Sequence, residues 1–159
     1  RDRSVSRGLG DVYKRQVAGQ AADIEGETKQ LALEELAFIH ERKTGRLIHY
    51  ALLAGGVLAD QPEEVVGELQ QLARHLGLAF QIRDDLLDVI STTEELGKTA
   101  GKDAEMEKNT YPRLLGIEKT KTALKAEITS ANEIIERLEQ TVYSFKGQLL
   151  RQLVQQFDI

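Results

Sequence analysis

Cysteine and tryptophan are absent from this 159-residue chain, which holds one methionine, two prolines and only 5% aromatic residues. Without cysteine there is no disulfide, no thiolate nucleophile and no cysteine-ligated metal, a composition that fits a cytoplasmic setting. Missing too is any apolar run near the ~20 residues that a membrane-spanning helix needs. No basic face dominates, and the net charge of −5 argues against nucleic acid as a partner. What remains is rich in Leu, Ala, Glu, Lys and Gln, the residues that best tolerate a helix, so an all-α fold is predicted. With 41% hydrophobic and 30% charged residues, the length suits one ordinary globular domain.

The first sixteen residues differ from the rest. Arg1 to Gln16 carries five Lys/Arg, two Asp and little helical periodicity before a leucine-rich pattern begins. Asp11-Val12-Tyr13-Lys14-Arg15-Gln16 can be written GAT GTG TAT AAG AGA CAG, which resembles a transposon-end adapter used in sequencing libraries. Arg1-Asp2-Arg3 fits the same adapter in another frame. Residues 1–16 are therefore expected to be a non-native leader, to be set apart from fold reasoning, and residues 17–159 the domain proper. A basic disordered arm is the alternative. Without the leader the balance is 16 basic against 24 acidic residues, further still from nucleic acid.

Helical signals then follow one another. Val17 to Glu27 reads as the end of a helix. Leu36, Ile39, Lys43, Leu47, Tyr50 and Ala54 recur every three or four residues, a helical stripe within Leu33–Leu58 that Gly45 interrupts. Pro62 with Glu63 and Glu64 starts the next helix, expected to run to about Ile90 with a bend near Gly67 or Gly77. Ser91 to Asn109, with Gly97, Lys98, Gly101, Lys102 and Lys108, is expected to be a long functional loop. Short and long helices over Tyr111–Ile117 and Glu118–Gln140 follow. A last helix, Tyr143–Phe157, should turn Leu149, Leu150, Leu153 and Val154 inward.

The residues that carry chemistry lie mid-chain, in Gln81-Ile82-Arg83-Asp84-Asp85-Leu86-Leu87-Asp88. Apolar residues from Leu76 to Ile90 surround them on most sides, predicting a largely buried helix in which carboxylates must be compensated. Asp84 and Asp88 are one turn apart and Gln81 precedes them on the same face. Carboxylates with neither cysteine nor a histidine pair suit Mg2+, which keeps waters and binds one or two carboxylates plus substrate phosphates. The plainer alternative is a solvated acidic patch. Lys43-Thr44-Gly45 places a glycine inside a helical pattern at a cost of about 1 kcal/mol, so a ligand or another backbone should come close there. Lys98, Lys102 and Lys108 would add mobile cations, and the combination describes a diphosphate pocket. Ordinary surface lysines are the alternative. His40, His49 and His75 are acid–base candidates by residue type only, with packing the simpler role.

These segments, in this order, resemble the trans-isoprenyl diphosphate synthases, and among them the bacterial short-chain farnesyl diphosphate synthases. The matching stretches are Gly19-Gln20-Ala21-Ala22-Asp23, Ile39 to Gly45, Leu76 to Asp88, Leu96 to Asp103, and Lys108-Asn109-Thr110-Tyr111-Pro112. The resemblance covers nearly everything after Gln16. It implies an all-α isoprenoid-synthase bundle, a homodimer, and Mg2+-dependent head-to-tail condensation of isopentenyl diphosphate with an allylic diphosphate. Asp84, Asp85 and Asp88 match the family's second aspartate-rich motif, implying metal ligation and catalysis. Lys43, Thr44, Gln81, Lys98 and Lys108 match its contacts to the allylic substrate, with Lys43 also catalytic. The family's first aspartate motif has no counterpart upstream of Gln20. The domain is therefore expected to be a C-terminal half, truncated on its N-terminal side, inactive alone and with an exposed apolar face.

Farnesyl diphosphate is the expected product, and geranylgeranyl or longer chains are the alternatives. A terpene cyclase or squalene-type synthase, a non-catalytic subunit of a heteromeric synthase, and a helical interaction module are the other classes. The lysine and Lys-x-Thr-Tyr-Pro features favour chain elongation, and the intact aspartates disfavour a non-catalytic subunit.

Overall fold

The computed structural model describes residues 14–15, 17–18, 20–21, 32–40, 45–105 and 110–159; the side chains of Phe38, His40 and residues 91–105 lie outside that description. Among the described residues all regular structure is helical. The elements are α1 (Leu33–His40), α2 (Arg46–Leu58), α3 (Glu63–Glu105), α4 (Tyr111–Leu115), α5 (Ile117–Thr141) and α6 (Gln148–Gln155). No helix among them is long and apolar enough to cross a membrane.

α3 is the spine. Pro62 precedes it and Glu63 and Glu64 occupy its first turn, where acids complement the exposed N–H groups. Leu69, Leu72, Leu76, Ala79, Ile82 and Leu86 form its inward stripe. Against that stripe pack Leu124, Ala131, Ile134, Ile135 and Leu138 of α5, with Leu36, Tyr111, Val154 and Phe157 closing the core. Each fully buried Leu or Ile contributes about 1.5–3 kcal/mol. Phe157 meets Phe80 edge-to-face at 6.2 Å, fastening the chain end to α3.

Several boundaries depart from expectation. The predicted loop Ser91–Asn109 is mostly helix, because α3 continues to Glu105; residues 106–109 lie outside the described set. This stretch contains no proline and is broken only by Gly97 and Gly101, so nothing in it forbids helix. The short helix ends at Leu115, and α5 begins after Gly116, whose φ of +81° suits a residue without Cβ. The Thr120 hydroxyl donates to the Gly116 carbonyl at 2.8 Å and secures that start.

The last helix is shorter than expected, and only part of its leucine set faces inward. Val154 is buried and Leu150 half-buried, but Leu149 is 77% exposed and Leu153 41% exposed. The inward stripe is Leu150, Val154 and Phe157, and the other two leucines sit one position out of phase.

A phase slip also divides Leu33–Leu58. Leu36 and Ile39 are buried as predicted, yet Leu47 is exposed, and the inward residues of α2 are Ile48, Leu52 and Gly56. The inward stripe of α2 thus lies one position from the expected one; residues 41–44, between the two halves, lie outside the described residues. α2 and α3 then run antiparallel through a tight turn at Ala59–Gln61, where Asp60 takes a positive φ of 50°.

Candidate active site

Gly77, Gln81, Asp84 and Asp88 follow one another at spacings of four, three and four along α3, so they share a face. At one end of this face the α2 backbone comes close. A Cβ placed on Gly77 would lie 2.8 Å from the Gly45 Cα, a separation that real Cβ atoms do not show. Of the two close approaches expected at Gly45, the backbone one is what the structure supplies. Farther along α2, Gly56 meets Val66 and Leu69, so moving backward along α2 means moving forward along α3. The antiparallel pairing therefore leaves Gly45 level with Gly77, one turn short of Gln81 and two turns short of Asp84. Lys43 and Thr44, the two residues before Gly45, lie outside the described residues.

The face opens as it advances. Gln81 is 6% exposed, whereas Asp84 and Asp88 are exposed. The expectation that all three acids sit on a buried helix thus needs correction: among the described residues α2 covers this face only as far as Gly77, and Asp84 and Asp88 lie beyond it. Asp85, one residue and so about 100° around from Asp84, is turned toward the core and is 8% exposed. Its carboxylate accepts the Tyr111 backbone N–H at 2.9 Å. Tyr111 is itself 4% exposed. Burial first, then the charges of Glu127 and Asp85, push its phenol up to about 12. Among the described residues no three His or acidic side chains gather into a metal-binding group. The arrangement offers two accessible carboxylates on one turn, enough for a hard cation that also takes water and phosphate oxygens.

The other predicted residues are distributed unevenly. α3 carries Lys98 and Lys102 on a helix, not on a loop. Lys98 stands ten residues beyond Asp88, about 15 Å along the axis, which separates it from the acids. Lys108 lies outside the described residues. His75 pairs with Glu127 of α5 at 2.6 Å, a link between helices rather than a catalytic group. The His40 side chain is outside the description. His49 lines a cleft of about 310 Å³ between α1, α2 and α3, together with Glu34, Arg46, Arg74 and Leu78. Arg46 and Arg74 were not singled out from the sequence, where isolated arginines on amphipathic helices carry no distinguishing pattern. The tie between Asp85 and Tyr111 was equally hidden, since 26 residues separate the partners.

Comparison with known proteins agrees with this helical fold. A family model described as polyprenyl synthetase matches residues 2–145. The farnesyl diphosphate synthase of Bacillus subtilis (strain 168) is 46% identical over 119 residues, covering 75% of this chain and 40% of that protein. Geranylgeranyl pyrophosphate synthase 10 of Arabidopsis thaliana is 48% identical over 109 residues, covering 66% of this chain and 32% of the relative. Among solved structures, a geranyltransferase from Helicobacter pylori, crystallised with magnesium and isoprenyl diphosphate, superposes with a TM-score of 0.69 at 30% identity. That match covers 96% of this chain and 51% of the other. The chain thus spans about 40% of its Bacillus relative's length. A match across most of the chain, reached independently by sequence and by backbone, leaves one assignment: the chain belongs to the polyprenyl synthetase family.

Proposed function

We propose that the whole protein is a Mg2+-dependent prenyltransferase that condenses isopentenyl diphosphate head-to-tail with an allylic diphosphate, farnesyl diphosphate being the product. One observation carries the reading. Asp84 and Asp88 stand exposed on the α3 face that, one and two turns earlier, holds buried Gln81 and the Gly45–Gly77 backbone contact. The Bacillus relative supports farnesyl as product, and the Arabidopsis relative keeps geranylgeranyl as the alternative. Product analysis of the whole protein separates these.

The residues fit the ion. Asp84 and Asp88 offer hard oxygen donors one turn apart and leave most of a six-coordinate shell to water and diphosphate. Mg2+, when bound there, would supply positive charge to the diphosphate oxygens as the allylic carbon–oxygen bond ionises. The Gln81 carboxamide would donate to the diphosphate from its buried position. Thr44 and Lys43 precede Gly45 by one and two residues, and at ~3.3–3.6 Å per residue the chain can bring both to the level of Gln81. The Lys43 ammonium would then hold the leaving diphosphate by charge, an interaction that strengthens in the transition state. Lys108, two residues before Thr110, is assigned to the same diphosphate. Lys98 can join only where α3 unwinds between Asp88 and Gly97, and we assign its contact to such an opened form. The protein is further proposed to be a cytoplasmic homodimer.

Calorimetric titration of the chain with Mg2+ and inorganic diphosphate tests this reading. Binding should require both components and disappear in Asp84→Asn. Diphosphate binding that ignores Mg2+, or that survives Asp84→Asn and Asp88→Asn together, would overturn it.

A further inference from the structure

We propose that Asp85 is a positioning residue rather than a ligand of the metal. Its carboxylate holds the start of α4, one residue position along α3 from Asp84, by accepting the Tyr111 N–H. This rests on the reading of the Asp84/Asp88 face as the Mg2+–diphosphate site.

The hydrogen bonds at the start of α4 leave Asp85 a defined task. The first N–H groups of a helix have no partner within it. Pro112 has none to place. The Arg113 N–H goes to the Thr110 hydroxyl at 3.4 Å, and the Leu114 N–H to the Thr110 carbonyl at 3.1 Å. The Tyr111 N–H is the remaining donor, and its residue is buried, so water is a poor substitute. Asp85 supplies the acceptor at 2.9 Å from a helix 26 residues earlier.

Tertiary anchoring matters more here than in a long helix. α4 has five residues, too few to persist without contacts from outside. Its ring-bearing first residue is packed in the core, and its N–H is clamped to α3 one position from Asp84. A carboxylate engaged in this way is buried on the core side of α3, whereas Asp84 and Asp88 are exposed. Two adjacent acids therefore divide the labour: Asp84 faces outward toward the ion and Asp85 inward toward the fold.

Amide hydrogen exchange at Tyr111, read beside the Mg2+–diphosphate titration, tests the assignment in Asp85→Ala, Asp85→Asn and Asp84→Asn. In Asp85→Ala the Tyr111 amide should exchange at least tenfold faster while Leu138, in the distant part of α5, keeps its wild-type rate. Diphosphate affinity should fall about tenfold, the usual scale for loss of an outer supporting contact. In Asp85→Asn the side-chain oxygen still accepts, so exchange and affinity should return to within about threefold of wild type. Asp84→Asn should abolish binding and leave Tyr111 protected. The proposal is overturned if Asp85→Asn loses metal-dependent binding as completely as Asp84→Asn, which would make Asp85 a ligand. It is equally overturned if Tyr111 exchange is unmoved in Asp85→Ala. A wild-type chain that binds no diphosphate would sink the proposed function alone, with Tyr111 exchange still deciding the role of Asp85.

Discussion

A phenol packed in the core beside two carboxylates holds its proton tightly. Tyr111 titrates at about 12 in the folded chain against 10.0 for a free tyrosine, burial being the main cause and Glu127 and Asp85 adding to it. Because the folded value is the higher one, the folded state binds more protons between those two pH values, and stability falls as pH rises through that window. The stabilising effect is complete below pH 10.0 and lost toward about 12. The expected loss is on the order of 1–2 kcal/mol after allowance for solvent screening. Urea denaturation across this range should show the drop in wild type and a flatter profile in Tyr111→Phe. The candidate site was legible at this scale as far as local geometry reaches. The i, i+4 spacing of Asp84 and Asp88 and the position of Gln81 depend only on helical pitch. The offset of Asp85 by about 100° from Asp84 also follows from pitch. Its partner does not, because the approach of Tyr111 is decided by how α4 docks on α3.

Helix α3 carries both the acids and the close crossing with α2. Gly77 has a backbone, not a flexible side chain, opposite it, so Gly77→Ala must push the two helices apart. Overpacking of this kind costs about 1–3 kcal/mol, readable as a lowered denaturation midpoint with an unchanged slope. Gly67→Ala, where a Cβ meets nothing, should instead be neutral or stabilising by a few tenths to about 1 kcal/mol. Along the same helix, amides of residues 69–86 should exchange more slowly than those of 94–105. The first stretch holds six core residues, whereas the second contains Leu96 as its sole large apolar residue, along with two glycines. Element existence was readable from periodicity and breakers for α1, α2, α3 and α5. The extension to Glu105 was not, since a polar, glycine-bearing stretch is equally compatible with loop and with helix. The one-position shift of the α2 stripe was not readable either, because spacing within a helix does not say which of its faces a neighbour covers.

At the scale of the molecule, apolar side chains of several elements remain in solvent among the described residues. On α2, Leu47 and Leu58 are exposed at the two ends of a face that also carries Ala51 and Gly55. Toward the C-terminus Tyr143 and Leu149 are exposed as well. Contiguous apolar surface promotes association. Light scattering of the isolated chain should therefore show self-association, reduced in Leu47→Glu with Leu58→Glu. The all-α class was legible from composition alone, and the family from the order of its motifs. Which leucines stay outside was not, because that depends on what each helix meets. The central claim is that Asp84 and Asp88 hold a divalent ion that carries diphosphate. Amide spectra recorded with inorganic diphosphate and paramagnetic Mn2+ in place of Mg2+ address it most directly. Broadening should centre on Gln81, Asp84 and Asp88, fade toward both ends of α3, and vanish when both aspartates become asparagine. Broadening centred on other surface acids, or unchanged by those substitutions, would contradict the account.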